Sequence, residues 1–217
     1  MRLITGMGFS NKQAEQSLMI KYICGIFSVC FIYSNLRYVV FGNETIEHIP
    51  LFIMNKTLSW SGLAVIGLSR LFKQFETRRK TGLMGAIMIG MHVVISMIVL
   101  RPEYLGKFFN DLDKMRMTWN GEAAILFGVI GLVFLSCILW ETINGTRESS
   151  NPTIARSVLP WAGKAVLICG AFHVTFMGWN DWIEPAKWAD NSYLPPISML
   201  SFFTAVILIF VSRARRN

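Results

Sequence analysis

Six long apolar stretches recur along this chain, and nothing else constrains its folding as strongly. They run approximately over Leu18–Phe41, Thr57–Lys73, Gly82–Leu100, Gly121–Trp140, Leu159–Trp179 and Ile197–Val211. A helix needs about 20 apolar residues to cross the hydrocarbon of a bilayer, and about 17 to 25 are tolerated. The second and sixth stretches are short, but Arg70, Lys73 and Arg213 can extend them by reaching toward the headgroups. No period-two alternation runs through the stretches, so helices are expected and barrel strands are not. Only 16% of the residues are charged while 53% are hydrophobic, a balance that a water-soluble core of this size could not hide. The expectation is an all-α integral membrane protein, a six-helix bundle forming one domain, with lipid as its solvent.

The charges orient that bundle. Placing the N-terminus inside puts Arg2, Lys12, Lys21, Arg70, Lys73, Arg78, Arg79, Lys80, Arg147, Arg156, Lys164, Arg213, Arg215 and Arg216 on the cytoplasmic side. The outer side then holds Arg37, Lys56, Arg101, Lys107, Lys114, Arg116 and Lys187, which is 14 basic residues against 7. Such a bias predicts both termini inside. The net charge of +8 is therefore a topology signal. Basic clusters flanking apolar runs, without interleaved stacking aromatics, argue against nucleic-acid binding.

Other features fit this frame. The polar Met1–Ser17 segment lacks the apolar core and cleavage site of a signal peptide, so the first stretch is expected to stay as an anchor. Cys24, Cys30, Cys137 and Cys169 lie in apolar runs at no metal-binding spacing and read as packing residues. Trp60, Trp119, Trp140, Trp161, Trp179, Trp182 and Trp188 fall at or near expected helix ends, where the interface favours amphipathic rings. Tyr104, Leu105, Phe108, Phe109 and Leu112 are spaced either for a helix lying on the outer surface or for a plain loop. Asn43, Asn55 and Asn144 each begin a glycosylation acceptor triplet, a pattern with meaning only in a secretory eukaryotic setting.

Ionisable residues deep in a bilayer are costly and by default mark function. His48 falls in the first outer loop, but His92 and His173 lie within the third and fifth stretches. Counted from the outer ends, His92 is 8 residues in from Leu100 and His173 is 6 in from Trp179. At about 1.5 Å per residue the depths differ by only about 3 Å. The two helices run in the same direction, so both imidazoles can reach one porphyrin iron from opposite faces. Gly170, three residues before His173, and Gly85, seven before His92, would leave flat ground for the macrocycle. Arg37, at the outer end of the first stretch, suits the paired propionates, as Arg101 does less directly. Each of these residues also has a plain reading: histidines bonding between helices, an arginine reaching the headgroups. Met88 and Met177 share the histidine faces and read as packing. Lys164 reads as reaching the inner interface.

The segment Arg78-Arg79-Lys80-Thr81-Gly82-Leu83, with His92 ten residues after Gly82, resembles the ferric-reductase-like transmembrane domain family. It is most similar there to the heme-binding membrane subunit of the periplasmic methionine sulfoxide reductase system. Ser61–Leu71 resembles the family's second helix, and His173 with Trp179 and the Trp182–Pro196 segment resembles its fifth helix and outer loop. The resemblance spans roughly Leu58 to Arg213. It implies that His92 and His173 are heme ligands. Where two-heme members carry a second histidine pair, this chain has Arg78 and Pro160, which implies one heme b. The expected function is a membrane cytochrome of a bacterial inner membrane. It would pass electrons from quinol or a cytoplasmic reductase to an outer-side partner. A heme-free scaffold subunit of a larger membrane complex is the alternative. A small transporter ranks below both, because no inverted repeat or mid-helix acid pair is present.

Overall fold

The structure, a computed structural model, describes residues 5–72, 74–110, 116–144 and 152–214. Among them the chain is helical, with no strand beyond a single bridge between Phe109 and Met117. Its helices are α1 (Thr5–Asn35), α2 (Met54–Ser69), α3 (Phe75–Val99), α4 (Pro102–Leu105), α5 (Trp119–Asn144), α6 (Pro152–Trp182) and α7 (Ile197–Ala214). Five spans are long and apolar enough to cross a membrane: Gln16–Val40, Ile46–Ser69, Phe75–Val99, Trp119–Ile143 and Trp161–Trp182. The apolar part of α7, Ile197–Ser212, is shorter.

Boundaries follow local chemistry. The second span begins at Ile46, well before the expected Thr57, because two turns at Ile46–His48 and Ile49–Ile53 lead continuously into α2. The second of these is π-helical and carries Pro50 near its start, where a missing N–H costs nothing. The span ends at Ser69, short of Lys73, so it needs no basic extension at that end. α3 starts after an extended Gln74 and carries Glu76 in its first turn, where the helix dipole favours an acid. α6 begins with Pro152 and runs on through Pro160, while its apolar span, Trp161–Trp182, starts close to the expected Leu159.

Two helix triples, α1–α2–α3 and α5–α6–α7, join through α2, which packs on α7 and α6. α2 is the buried centre, with Thr57, Leu58, Ser61, Leu63, Val65 and Ile66 among its buried residues, while α5 turns most of its residues outward. Leu63 and Ile66 of α2 meet Ala86, Leu135, Val166, Leu167, Ala171 and Ala205 in the main core. Met19, Ile23 and Val65 form a second cluster that also takes Met88. α5 and α3 present rows of apolar side chains outward, as lipid contact requires. The described residues of the 36–53, 99–110, 116–119 and 182–197 segments gather at one end, called here the loop-rich end. Tyr33 donates to the Pro195 carbonyl there at 2.7 Å, and Lys107 pairs with Asp181 at 2.6 Å.

The surface helix considered for 101–120 does not form in the described part of that segment. Only α4 and a short turn at Gly106–Phe108 are helical, and Phe108 is buried against Gly121; Leu112 lies outside the described residues. Trp119, Trp140, Trp161 and Trp179 are exposed near the ends of the apolar spans. Trp60 is not an interface residue, since its Nε1–H donates to Thr204 on α7 and its ring meets Tyr33.

Candidate functional site

The register of α2 against α3 is set turn by turn. Ser69 faces Gly82, Ile66 faces Gly85, Gly62 faces Met88 and Ile89, and Asn55 faces His92 and Ser96. His92 lies on the same stripe of α3 as Gly85, two turns nearer the loop-rich end. There α2 presents a side-chain amide in place of apolar groups. The α5–α6 pair works similarly. Gly131 lies against Cys169, and Gly128 lies against the imidazole of His173.

These two packings bring the histidines together. The ring centroids of His92 and His173 are 6.4 Å apart, with the ring planes at 76°. Among the described residues α3 and α6 are not a closely packed pair, and the two imidazoles meet between them edge to face. Neither ring is fully buried.

Each ring is held by one nitrogen. Nδ1 of His173 lies 2.7 Å from the backbone oxygen of Ala124. Nδ1 of His92 lies 2.7 Å from Oδ1 of Asn55 and 3.2 Å from the Asn55 backbone oxygen. A backbone carbonyl can only accept, so both rings donate from Nδ1. The neutral imidazole then carries its lone pair on Nε2, and neither Nε2 has a hydrogen-bond partner among the described residues. A carbonyl on one nitrogen and a free lone pair on the other is the usual support of a metal-ligating histidine. No family model matches the chain, and no curated protein does.

Arg37 is the third element. The buried residues of α1 and its continuation, Met19, Ile23, Cys30, Ser34 and Arg37, form one inward stripe, and Arg37 is only 5% exposed. It sits in the π-helical turn Leu36–Val40. Its Nε and Nη1 are buried without a hydrogen-bond partner, and its guanidinium lies 5.4 Å from the Tyr38 ring, a setting that favours an added anion. Ser34 accepts a hydrogen bond from Thr57 at 3.1 Å, which aligns α1 with α2. Arg37, one turn beyond Ser34, therefore stands at about the depth of Asn55. Lys56 adds a second cation, with Nζ 4.7 Å from the Tyr38 ring and 4.3 Å from the Phe52 ring. It has no acidic partner among the described residues and lies within electrostatic reach of His92.

Other expected residues fall elsewhere. A Cβ at Gly85 would lie 2.8 Å from the backbone nitrogen of Ile66, and one at Gly170 would lie 2.8 Å from Leu63. Both glycines serve close packing onto α2, and neither borders the space between the imidazoles as open ground. Met88 packs with Met19, Ile23 and Val65. Arg101 is exposed at the start of α4. Lys164 lies over the Trp161 ring. Asn55 is no free glycosylation acceptor, since its side chain is engaged by His92 and Ser96. Among the described residues no three His, Cys, Asp or Glu gather as a metal site. Sequence reasoning missed Gly128, Asn55, Ser96 and Lys56; a polar pair four residues apart at His92 and Ser96 was the available signal.

Proposed function

We propose that this chain is a six-span membrane cytochrome with both termini inside, α7 completing the sixth span. His92 and His173 would hold one b-type heme. The protein would serve electron transfer from membrane quinol or a cytoplasmic reductase to a partner on the outer side of a bacterial inner membrane. The observation that carries this reading is the imidazole pair, tied back through both Nδ1 atoms at a 6.4 Å centroid separation. Two imidazoles each about 2.0 Å from one metal, with about 1 Å more from nitrogen to ring centre, stand about 6 Å apart. Each imidazole, held at Nδ1, would offer its Nε2 lone pair to the iron.

The remaining parts fit the group. Two protein ligands suffice where a porphyrin supplies the other four, and buried Arg37 meets the need for a carboxylate partner that propionates would fill, with Lys56 beside it. Bound heme supplies a one-electron ferric–ferrous couple. The chain's own residues orient the ligands, balance the carboxylate charge and exclude water. The resemblance around Arg78–Leu83 and His173–Pro196 points the same way.

The test is spectroscopic. The purified protein is expected to show a Soret band that shifts on dithionite reduction and a pyridine hemochrome equivalent to about one heme b per chain. His92→Ala and His173→Ala should each abolish it. A folded, colourless wild-type protein from heme-replete cells would overturn the reading in favour of a scaffold subunit.

A further inference from the structure

The two histidines are supported unequally. His173 leans on a backbone carbonyl, Ala124, which no substitution can remove. His92 leans on a side chain, and that side chain belongs to a closed polar cluster. Asn55 Oδ1 lies 2.7 Å from His92 Nδ1 and 3.2 Å from Ser96 Oγ, while Asn55 Nδ2 donates to Ser96 Oγ at 3.1 Å. Ser96 stands one turn beyond His92 on α3, with Oγ 3.4 Å from His92 Nδ1. The amide oxygen is thus shared between the imidazole N–H and a hydroxyl.

Asn55 is an uncommon choice here. A polar side chain facing the interior of a span must be satisfied there, and all its hydrogen-bonding atoms are engaged. An apolar residue would pack against α3 without that requirement. What the amide adds is control of the imidazole. The Asn55 backbone oxygen already requires the proton on Nδ1 at 3.2 Å. The shorter bond to Oδ1 draws that proton outward and makes Nε2 more basic.

We infer that Asn55 is a positioning residue that sets the reduction potential of the iron through His92, with Ser96 moderating the strength of its amide acceptor. The inference rests on the heme reading above and concerns which residue tunes it. A more basic axial nitrogen stabilises the ferric state, so stronger acceptors at position 55 lower the midpoint and weaker ones raise it.

The experiment is redox potentiometry of the purified full chain, followed at the Soret band, with heme content read in parallel. Asn55→Asp places a charged acceptor on Nδ1 and should shift the ferric-to-ferrous ratio about tenfold toward ferric at fixed potential, or about 59 mV downward. Asn55→Leu leaves only the longer backbone bond and should move the midpoint upward. Ser96→Ala removes the competing hydroxyl, leaves Oδ1 to His92 alone, and should move it downward by less than Asn55→Asp. A merely structural role for Asn55 would loosen the site in every variant and shift all midpoints the same way. That result, or unchanged midpoints at full heme content, would overturn the inference while leaving the heme reading intact. If Asn55→Asp yields no folded protein, the opposed signs of Asn55→Leu and Ser96→Ala decide the matter. A wild-type protein without a Soret band removes both readings together.

Discussion

A Cβ at residue 128 would stand 3.1 Å from Nδ1 of His173, against the bond that nitrogen makes to Ala124. The two residues lie four apart on α5, so the imidazole rests on one turn of helix with Gly128 beneath it. Gly128→Ala is expected to push the ring outward and weaken a hydrogen bond worth about 0.5–1.5 kcal/mol, and Gly128→Val should displace it entirely. Helix propensity moves the other way, by up to about 1 kcal/mol in favour of Ala. Gly128→Ala should therefore leave thermal stability nearly unchanged while heme per chain, read by pyridine hemochrome, falls several-fold. Full heme retention in Gly128→Val would show that the ring does not depend on this glycine. The histidines were legible in the sequence, because an ionisable group inside an apolar run is conspicuous by itself. Gly128 was not. A glycine's role depends on which neighbour its helix face meets, and that pairing is a tertiary fact.

Helix packing explains the misreading of Gly85 and Gly170. Both lie at helical spacing from a histidine, which suggested a flat patch beside a cofactor. Spacing along one helix gives a face but not what covers it, and α2 covers both positions. Length was equally deceptive for the second span: its start was expected at Thr57, yet Asn55 and Lys56 sit inside the longer Ile46–Ser69 element. Asn55 is tolerated there because His92 and Ser96 satisfy it. The α2–α3 seam yields a sharp comparison. At Gly85 even one methyl group meets the backbone of Ile66, which cannot rotate away, whereas a Cβ at Gly90 meets nothing within 4 Å. Gly85→Ala should thus separate α3 from α2 and destabilise the detergent-solubilised protein by about 1–3 kcal/mol, as overpacking does. Gly90→Ala, on the same helix, should be neutral or slightly stabilising. Thermal unfolding of the two variants side by side checks this. Equal melting temperatures would mean that the seam yields more easily than its backbone contacts imply.

For the molecule as a whole, the basic-residue count and the packing make independent demands on orientation. Packing requires that the 36–53, 99–110, 116–119 and 182–197 segments share one end, since Tyr33 reaches Pro195 and Lys107 reaches Asp181. The proposed topology would turn this end outward, because the opposite turns carry Arg70, Arg78, Arg79 and Lys80. On that topology both histidines would lie nearer the outer surface, closer to the proposed outer partner than to a cytoplasmic donor. Cysteine labelling in intact cells tests the orientation. Cys24 and Cys137 are exposed on lipid-facing helices, where a membrane-impermeant maleimide has no access, but all four native cysteines are best replaced first. In that background Glu103→Cys, exposed within α4, should label from outside. Glu76→Cys, exposed in the first turn of α3, should label only after the cells are opened. The reverse pattern would invert the bundle and put the imidazole pair near the cytoplasm. The heme reading would survive, but electron delivery to an outer acceptor would not. An odd number of crossings would instead leave Glu103 and Glu76 as expected while an N-terminal and a C-terminal tag reported opposite sides, which would identify the short α7 as the segment that fails to span.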